Sequence, residues 1–485
     1  MKKQPQRSGG AGERSVSGLE DLLGSLGAFF SDASRTNFVS LASGMLLVRG
    51  RHWISRAIAV AERLGATKHH SSLYRFFSRA AWVPEQLGHA VFRAALPFVK
   101  GSIELAVDDT LCRRTGPHVY GAGVHIDPLG TIYRNDVRAE GKKAFAFGHS
   151  WVVLSLRLKL PWSQGPGCAI PILCRLYRSK KTCPEQEYVK RTDIAAQMIA
   201  RVRAWLPPSR RMSVVGDHEY ACSAVIRALP GATSFTGPLP NDARFYAPAP
   251  EQRAKGPGRP RKRGERLRSP KQVLEDHLLR WEKIKASIYS RRVSLEVYEQ
   301  VGLWYSVDQS RECRMIVIRD PRQRYRSRAL VTTDMTSTLA TIIERFSRRW
   351  LIEVMFRESK QHLGLGEAQN GWEKGVGTRL ERRARRGELK GRGHAGRAAV
   401  ERTVPFMFCL HAVVVLFGIG STDGDASKLH RWQPKWRRRH GAPNFSDMLT
   451  HARAALLRPA ISPDPPRGRV GWNQQPPLPI LLLAA

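Results

Sequence analysis

One stretch of the chain, FSRRWLIEVMFRESKQHLG at residues 346–364, places an acidic side chain between two cations at helical spacing. The residues that share this spacing, three, four and seven positions apart, are Phe346, Arg349, Glu353 and Lys360. Because an α-helix turns by about 100° per residue, these side chains fall within roughly 60° of one another. A carboxylate flanked by two cations is suited to a metal site that handles phosphate groups.

Two further acidic positions follow short apolar runs that we predict to be β-strands. The run GSIELAVDDT (101–110) ends in Asp108 and Asp109, and the run MSVVGD (212–217) ends in Asp217. Together with Glu353, such carboxylates could hold two divalent ions about 3.5–4 Å apart, which activate a water and stabilise the leaving oxygen. Oxygen ligands of this kind favour Mg²⁺. Each aspartate alone is more typical of a turn, so the combination carries the prediction.

One member of each acidic pair is preferred. Strand alternation places Asp108 and Asp109 on opposite faces, and since both faces are apolar here, the pattern alone does not choose between them. We favour Asp109, which is followed by Thr110. On the helix, Glu358 points roughly 140° away from Glu353 and lacks the neighbouring cations. We therefore predict that Glu358 is a solvated carboxylate.

The elements that must position these residues change in type along the chain. Between residues 100 and 237 the predicted order is β-β-β-α-β-α-β, which is typical of a mixed sheet covered by helices. The predicted segments are a disordered lead-in (1–18), a helical DNA-binding domain (19–99), the first part of the sheet domain (100–237), an insertion with a basic tract and strands (238–324), the second part of the sheet domain (325–420) and a basic, Pro-rich C-terminal region with a disordered tail (421–485).

The second part of the sheet domain contains three features of its own. A strand at 328–334 leads into the long helix, with Asp334 or Thr336 as the expected N-cap and Gly364 as the expected C-cap glycine. An Arg/Gly-rich run at 375–397 then interrupts the pattern. The longest apolar run, 404–420, is interrupted by His411 and is short for a membrane span, so we interpret the segment 399–418 as a buried helix.

The charge balance indicates a polyanionic partner. The chain has 80 Lys and Arg against 41 Asp and Glu, a formal net charge of +39. Nucleic acid is the expected partner because neutralising phosphates releases condensed counterions, although a genome that favours Arg codons would explain part of the excess. The seven scattered cysteines form no CxxC motif, which fits a reducing cytoplasm.

Two segments are candidates for DNA contact outside the acidic site. Two helical patterns at 51–65 and 71–82, the second with Arg75 and Arg79, are typical of a helix-turn-helix. An ordinary helical bundle explains the same pattern about equally well. The tract at 258–263 has a GRP core with flanking cations, Arg259, Arg261 and Lys262. It resembles an AT-hook that lies in a narrow minor groove, and a solvated basic linker is the alternative.

The acidic helix and the two strand-end motifs together resemble the DDE transposases of bacterial insertion sequences. One branch of that family has the signature Y-(2)-R-(3)-E-(6)-K, and this chain has Phe346-(2)-Arg349-(3)-Glu353-(6)-Lys360, with only the tyrosine replaced. The dipeptide Asp109-Thr110 resembles the family's first catalytic acid, and Asp217 in GDHEYAC resembles the second.

The resemblance implies an RNase H-like catalytic core that cuts DNA and joins it to a target. Asp109, Asp217 and Glu353 would ligate two Mg²⁺ ions, with Mn²⁺ as a substitute, and Arg349 and Lys360 would hold DNA phosphates. It further implies a cytoplasmic, nucleoid-associated protein that acts as a dimer on paired DNA ends, without a membrane. The alternatives are an RNase H-like nuclease that cuts without joining and a transposase-derived protein that only binds DNA.

Overall fold

The computed structural model describes residues 18–114, 119–127, 144–250, 262–367, 392–429 and 442–457. Within these ranges a mixed sheet is flanked by helices, so the predicted fold class of a mixed α/β sheet is confirmed. The predicted disordered tail, nearly all of the predicted disordered lead-in, residues 375–391 of the Arg/Gly-rich run and most of the tract at 258–263 lie outside the described residues. Residues 392–397 of that run are described and form the start of a helix, so the predicted interruption ends earlier than expected.

Helices precede the first strand, as the sequence predicts. They are α1 (Leu19–Leu26), α2 (Asp32–Leu47), α3 (Ile54–Arg63), α4 (His70–Ser78) and α5 (Pro84–Ala95). Their buried leucine, phenylalanine and alanine side chains belong to the same hydrophobic core as those of the sheet. The helical region therefore shares its core with the sheet, and whether it acts as a separate DNA-binding domain stays a prediction.

The centre of the sheet is built from strands whose order in space differs from their order in the chain. They are β1 (Ile103–Arg113), β2 (Gly123–Ile126), β3 (Phe145–Leu158), β4 (Cys168–Tyr177), β5 (Met212–Gly216) and β6 (Thr233–Pro238), with helices α6 (Arg191–Ala204) and α7 (Ser223–Ile226) between the later ones. β1 pairs antiparallel with β3 and parallel with β5, β5 pairs parallel with β6, and β4 lies beyond β3. An antiparallel start followed by parallel strands fits an RNase H-like fold.

The predicted insertion extends this sheet. Its elements are β7 (Phe245–Tyr246), α8 (Pro270–Glu275), β8 (Glu282–Ile288), β9 (Arg291–Trp304) and β10 (Glu312–Arg319). β10 pairs with β11 (Arg328–Thr332), and β11 pairs with β6. The described strands consequently form one eleven-stranded sheet. Strand pairing over this distance leaves no trace in the local apolar pattern, which is why the sequence indicated strands here but not their partners.

The predicted helix at 346–364 is divided in the structure, so the expectation of one continuous helix is wrong. Helix α9 (Leu339–Ser347) is followed by a 3₁₀ turn at Arg348–Trp350 and then by α10 (Leu351–Leu363). The expected N-caps are also wrong, because Thr338 caps α9 by accepting a hydrogen bond from the Thr341 backbone. Asp334 instead accepts from the backbone N–H groups of Thr336 and Ser337 in the preceding turn.

Phe346 does not share a face with Glu353 as the helical spacing predicted. It is 8% exposed and packs in a second hydrophobic cluster, formed by the insertion strands and α9. The 3₁₀ turn breaks the angular register between α9 and α10, since 3₁₀ backbone has about 3.0 residues per turn instead of 3.6. Phe346 therefore anchors α9 to the sheet and lies apart from the acidic site.

The apolar run near the C-terminus is a buried helix, as interpreted. Helix α11 (Arg392–Gly420) begins seven residues before the predicted start, 399, and ends two residues after the predicted end, 418. It is long and apolar enough to cross a membrane, but 94% of its apolar window is buried inside the protein. Helices α1, α4, α5 and α10 and the last helix, α12 (Phe445–Leu457), surround it. Because α10 packs on α11, this central helix supports the helix that carries Glu353.

The C-cap of α10 offers a stability test with an internal control. Gly364 has a φ of +62°, as predicted for a C-cap glycine, and a Cβ there would lie 2.5 Å from the Cβ of His52. We expect Gly364→Ala to lower the free energy of unfolding by about 1–3 kcal/mol, because a side chain at this φ is strained and also collides. Gly366→Ala, where a Cβ meets nothing within 4 Å, should change it by less than about 0.5 kcal/mol. Thermal melts of both variants measure the difference, and equal melts would contradict it.

Candidate active site

The parallel pairing of β1 and β5 brings the strand aspartates together. The ladder ends at the pair Val107–Gly216, so Asp108, Asp109 and Asp217 follow directly at the same end of neighbouring strands. β1 continues to Arg113, beyond the end predicted from the sequence. This is the carboxyl edge of a parallel strand pair, the edge at which α/β sheets bind ligands. The structure thus places the strand carboxylates at one edge.

Arg349 connects this edge to the acidic helix. Its guanidinium donates to the Asp108 carboxylate at 2.9 Å and to the Glu353 carboxylate at 2.6 Å. The two acidic groups therefore accept from the two terminal nitrogens of one guanidinium, and Asp108 and Glu353 lie on either side of it. The sequence-based preference for Asp109 as the metal-binding residue stays a prediction. The contact with Arg349 nevertheless shows that Asp108 is the aspartate linked to Glu353.

Burial makes the charge on Asp108 costly. Its side chain is 13% exposed, and desolvation raises the pKa of the carboxyl to about 7, against the opposing effect of Arg349. The carboxylates of Asp217 and Asp109 raise this pKa further. Three carboxylates at one sheet edge repel one another, so the edge favours a proton or a cation near Asp108.

Asp109 has different neighbours. It accepts a hydrogen bond from the Ser150 hydroxyl at 3.3 Å on the adjacent strand β3. Desolvation raises the pKa of its carboxyl, and the charges of Arg191 and Lys360 oppose that rise while Asp217 adds to it. Lys360, predicted to bind phosphate, is therefore close enough to act on the strand carboxylates. Glu358 is half-buried and burial raises the pKa of its carboxyl to about 7, so the expectation of a solvated carboxylate is wrong.

The loop after β5 adds two residues that the sequence analysis did not assign. Glu219 pairs with Arg191 at 3.2 Å, and its backbone N–H donates to Asp217 at 3.0 Å. Tyr220 is fully buried, and its hydroxyl has no hydrogen-bond partner among the described residues. Burial raises the pKa of that phenol, and the nearby carboxylates, Asp109 most strongly, raise it further. Glu219 and Tyr220 follow Asp217 closely in the motif GDHEY, and this position was the sequence signal that could have assigned them to the site.

The sequence from the end of α1 to the start of β9 matches a known family. The model of the family described as DDE superfamily endonuclease matches residues 26–294, more than half of the 485-residue chain. The chain belongs to the DDE superfamily endonucleases. The matched segment contains Asp108, Asp109 and Asp217, and it ends before Glu353.

A solved structure titled as the piggyBac transposase synaptic complex with hairpin DNA is similar with a TM-score of 0.36 and 7% identity, over 90% of this chain and 74% of that one. No curated protein matches the chain.

The residues of the edge can be tested for their fit to a divalent ion. Among the residues that the structure describes, no group of three His, Cys, Asp or Glu side chains is gathered closely enough to hold a metal. The donors at the edge are carboxylate oxygens, which suit Mg²⁺, and the Arg349 guanidinium provides a positive charge between Asp108 and Glu353. The donors therefore suit the ion by their chemical type, and the cation that now lies between Asp108 and Glu353 is Arg349.

The remaining DNA-binding candidates lie apart from this edge or outside the described residues. Arg75 and Arg79 are exposed on or directly after α4, and Lys262 is exposed at the start of a described segment. Arg259 and Arg261 lie outside the described residues. No comparison tests the role of these five residues in DNA binding.

The unpaired hydroxyl of Tyr220 gives a test that separates stability from activity. A buried hydroxyl without a partner costs about 1–3 kcal/mol, so we expect Tyr220→Phe to leave the melting temperature unchanged or to raise it. If the hydroxyl hydrogen-bonds Asp109 once DNA is bound, the same variant should cleave DNA about tenfold more slowly. Differential scanning calorimetry and a cleavage time course measure the two effects. Lower stability with normal cleavage would show that the hydroxyl serves folding alone.

Proposed function

We propose that this DDE superfamily endonuclease is a transposase that cleaves DNA strands at the ends of an insertion sequence and joins them to a target. The observation that carries the proposal is the Arg349 bridge between Asp108 and Glu353 beside Asp217. Arg349, Glu353 and Asp217 are residues on which the resemblance to the transposases rests, whereas Asp108 is the neighbour of the Asp109 that the resemblance names. The family match supports an endonuclease.

Asp108, Asp217 and Glu353 are the proposed metal-binding residues. Asp109, which the sequence analysis preferred to Asp108, lies next to them. Bound Mg²⁺ would supply an activated water and charge stabilisation at the leaving oxygen. Before that, Arg349 neutralises Asp108 and Glu353 and holds the α10 end of the site against β1. Because guanidinium binds phosphate in a bidentate manner, Arg349 can exchange its carboxylate partners for a DNA phosphate.

Lys360 acts from the last turn of α10. It is close enough to lower the pKa of the Asp109 carboxyl, so its ammonium group contributes positive charge to the same edge. We infer that Lys360 holds a second phosphate of the strand that is cut. Joining two DNA ends would require two copies of the chain, and the proposed site of action is the cytoplasm.

A strand-transfer assay tests the proposal. The purified full-length chain is incubated with labelled DNA from both flanks of its coding region and a supercoiled target, in Mg²⁺ and in EDTA. Joined products that appear only with Mg²⁺ support a transposase. Cleavage without joining would replace the proposal with a nuclease, and binding without cleavage would replace it with a DNA-binding protein derived from a transposase.

A further inference from the structure

Arg191 lies on the Asp109 side of the acidic edge, at the start of α6. We propose that Arg191 is a further phosphate-binding residue of this site, beside Arg349 and Lys360, and is held by Asp109 and Glu219 until DNA arrives. The proposal rests on the proposed function, in which a DNA strand passes along the edge. It gives the site one arginine on each side of β1, Arg349 beside Asp108 and Arg191 beside Asp109.

The present partners of Arg191 hold it loosely. Its Nη1 lies 3.2 Å and 3.4 Å from the two Glu219 oxygens, longer than the 2.6 Å contact between Arg349 and Glu353. Charge-assisted hydrogen bonds are normally about 2.7–2.9 Å long. The Asp109 carboxylate attracts the guanidinium electrostatically, but no hydrogen bond joins them among the contacts described. Arg191 is therefore paired by charge, with hydrogen-bonding capacity to spare.

One donor of Arg191 has no partner among the residues that the structure describes. Its Nε–H is buried and makes no hydrogen bond to any of them, although guanidinium is a five-donor group. Leaving a buried donor of a charged group unsatisfied costs more than about 1–3 kcal/mol. An anion that accepts from Nε and one Nη would remove this cost, and a phosphate has the geometry to do so.

The surroundings hold the guanidinium in place for such an anion. Its carbon lies 4.6 Å from the centre of the Tyr177 ring, a cation–π contact. Arg191 is also the first residue of the 14-residue helix α6, whose N-cap Lys190 makes no side-chain capping bond. The positive end of the helix dipole and its free N–H groups add to the attraction of an anion at that point.

The acidic edge makes this contact conditional on a cation. Without one, Asp109 and Glu219 attract Arg191, and together with Asp108 and Asp217 at the same edge they repel a phosphate. A divalent ion among the strand carboxylates would weaken both effects. The phosphate would then compete with Glu219 for the guanidinium, so Arg191 should contribute to DNA affinity only when a divalent ion is present.

Fluorescence anisotropy with a labelled blunt 30-base-pair duplex tests the proposal on the full chain. Binding is measured over a range of KCl concentrations, in Ca²⁺ and in EDTA. In Ca²⁺ we expect Arg191→Ala to reduce the slope of log K against log salt by about 0.9, the contribution of one phosphate, and to weaken binding about fivefold to tenfold near 0.1 M salt. In EDTA the variant and the parent chain should have equal slopes.

Glu219→Gln supplies the converse variant. It should free Arg191 without a divalent ion, so that binding in EDTA tightens, and the gain should vanish in Glu219→Gln/Arg191→Ala. Arg201→Ala is the matched control, since Arg201 lies on the same helix and pairs with Glu85 away from the acidic edge. Its effect should be the same in Ca²⁺ and EDTA.

Two results would overturn the proposal. One is an Arg191→Ala slope that is unchanged in Ca²⁺, and the other is a change of equal size with and without the ion. Arg191→Lys controls for a folding defect in Arg191→Ala, because lysine keeps the positive charge but lacks the planar guanidinium with its Nε donor. This variant should also weaken DNA binding in Ca²⁺. Because the measured quantity is DNA affinity, the role of Arg191 can be decided even if the chain fails to join strands.

Discussion

Asp217→Asn is expected to lower the rate of DNA strand cleavage by about 10²–10³-fold or more, the usual cost of losing one electrostatic group at a reacting centre. Asparagine keeps the oxygen that accepts from the Glu219 backbone at 3.0 Å, so the loop after β5 should keep its shape. The lost quantity is the negative charge that would hold a divalent ion. Cleavage of labelled end DNA in saturating Mg²⁺ measures the rate.

The affinity for DNA should respond differently in the same variant. Removing a carboxylate from the edge reduces its repulsion of phosphate, so the dissociation constant measured in EDTA should stay the same or fall. Asp32→Asn is the control for a surface charge change, because Asp32 lies on α2 and is 92% exposed; it should cleave at the parental rate. Full cleavage by Asp217→Asn would remove Asp217 from the proposed metal-binding residues.

The sequence predicted those parts of the fold that depend on local patterns. The short strand β2 was not predicted, but the predicted order β-β-β-α-β-α-β corresponds to β1, β3, β4, α6, β5, α7 and β6, because each of these elements buries apolar side chains in the core. The acidic residues at the end of the β1–β5 ladder were found for the same reason. Parallel strands that end together bring the residues after them together, and this follows from strand order alone.

Features that depend on distant contacts could not be predicted. The 3₁₀ turn at Arg348–Trp350 orients Arg349 toward Asp108, a residue 241 positions away in the chain. Extrapolating one regular helix from Phe346 to Lys360 therefore placed Phe346 on the wrong side. The sequence did not indicate a role for Arg191 for the same reason. Its proposed role depends on Asp109 and Glu219, which lie on other elements, and not on its own helix.

The choice between Asp108 and Asp109 shows this limit most directly. Both faces of β1 are apolar, so strand alternation predicts that the two side chains diverge without saying which one meets Glu353. In the structure Arg349 joins Asp108 to Glu353, while Asp109 lies toward Ser150 and Arg191. The two aspartates thus have separate cations, and this separation leads to distinct expectations for their variants.

Asp108→Asn should reduce strand cleavage by about 10²–10³-fold, and Asp109→Asn by about tenfold to a hundredfold, as for a residue that supports the ligands. Asparagine at either position retains an oxygen acceptor, so the partners Arg349 and Ser150 keep a hydrogen bond. Parallel cleavage assays with both variants, under saturating Mg²⁺, measure the ratio. A larger loss for Asp109→Asn would restore the sequence-based preference.

The pH dependence of the free energy of unfolding tests the burial of Asp108 independently of cleavage. Burial raises the pKa of the Asp108 carboxyl from 3.8 to about 7, so between these values the folded protein binds a proton that the unfolded chain has lost. The free energy of unfolding of the parent chain should therefore fall as the pH rises from about 4 to about 7. Asp108→Asn lacks this titration and should be more stable than the parent by about 1–3 kcal/mol at pH 8 in EDTA, since one pKa unit corresponds to about 1.4 kcal/mol. Melts at pH 5 and pH 8 measure the gain, which should be much smaller at pH 5, and a pH-independent gain would contradict the burial of a charged Asp108.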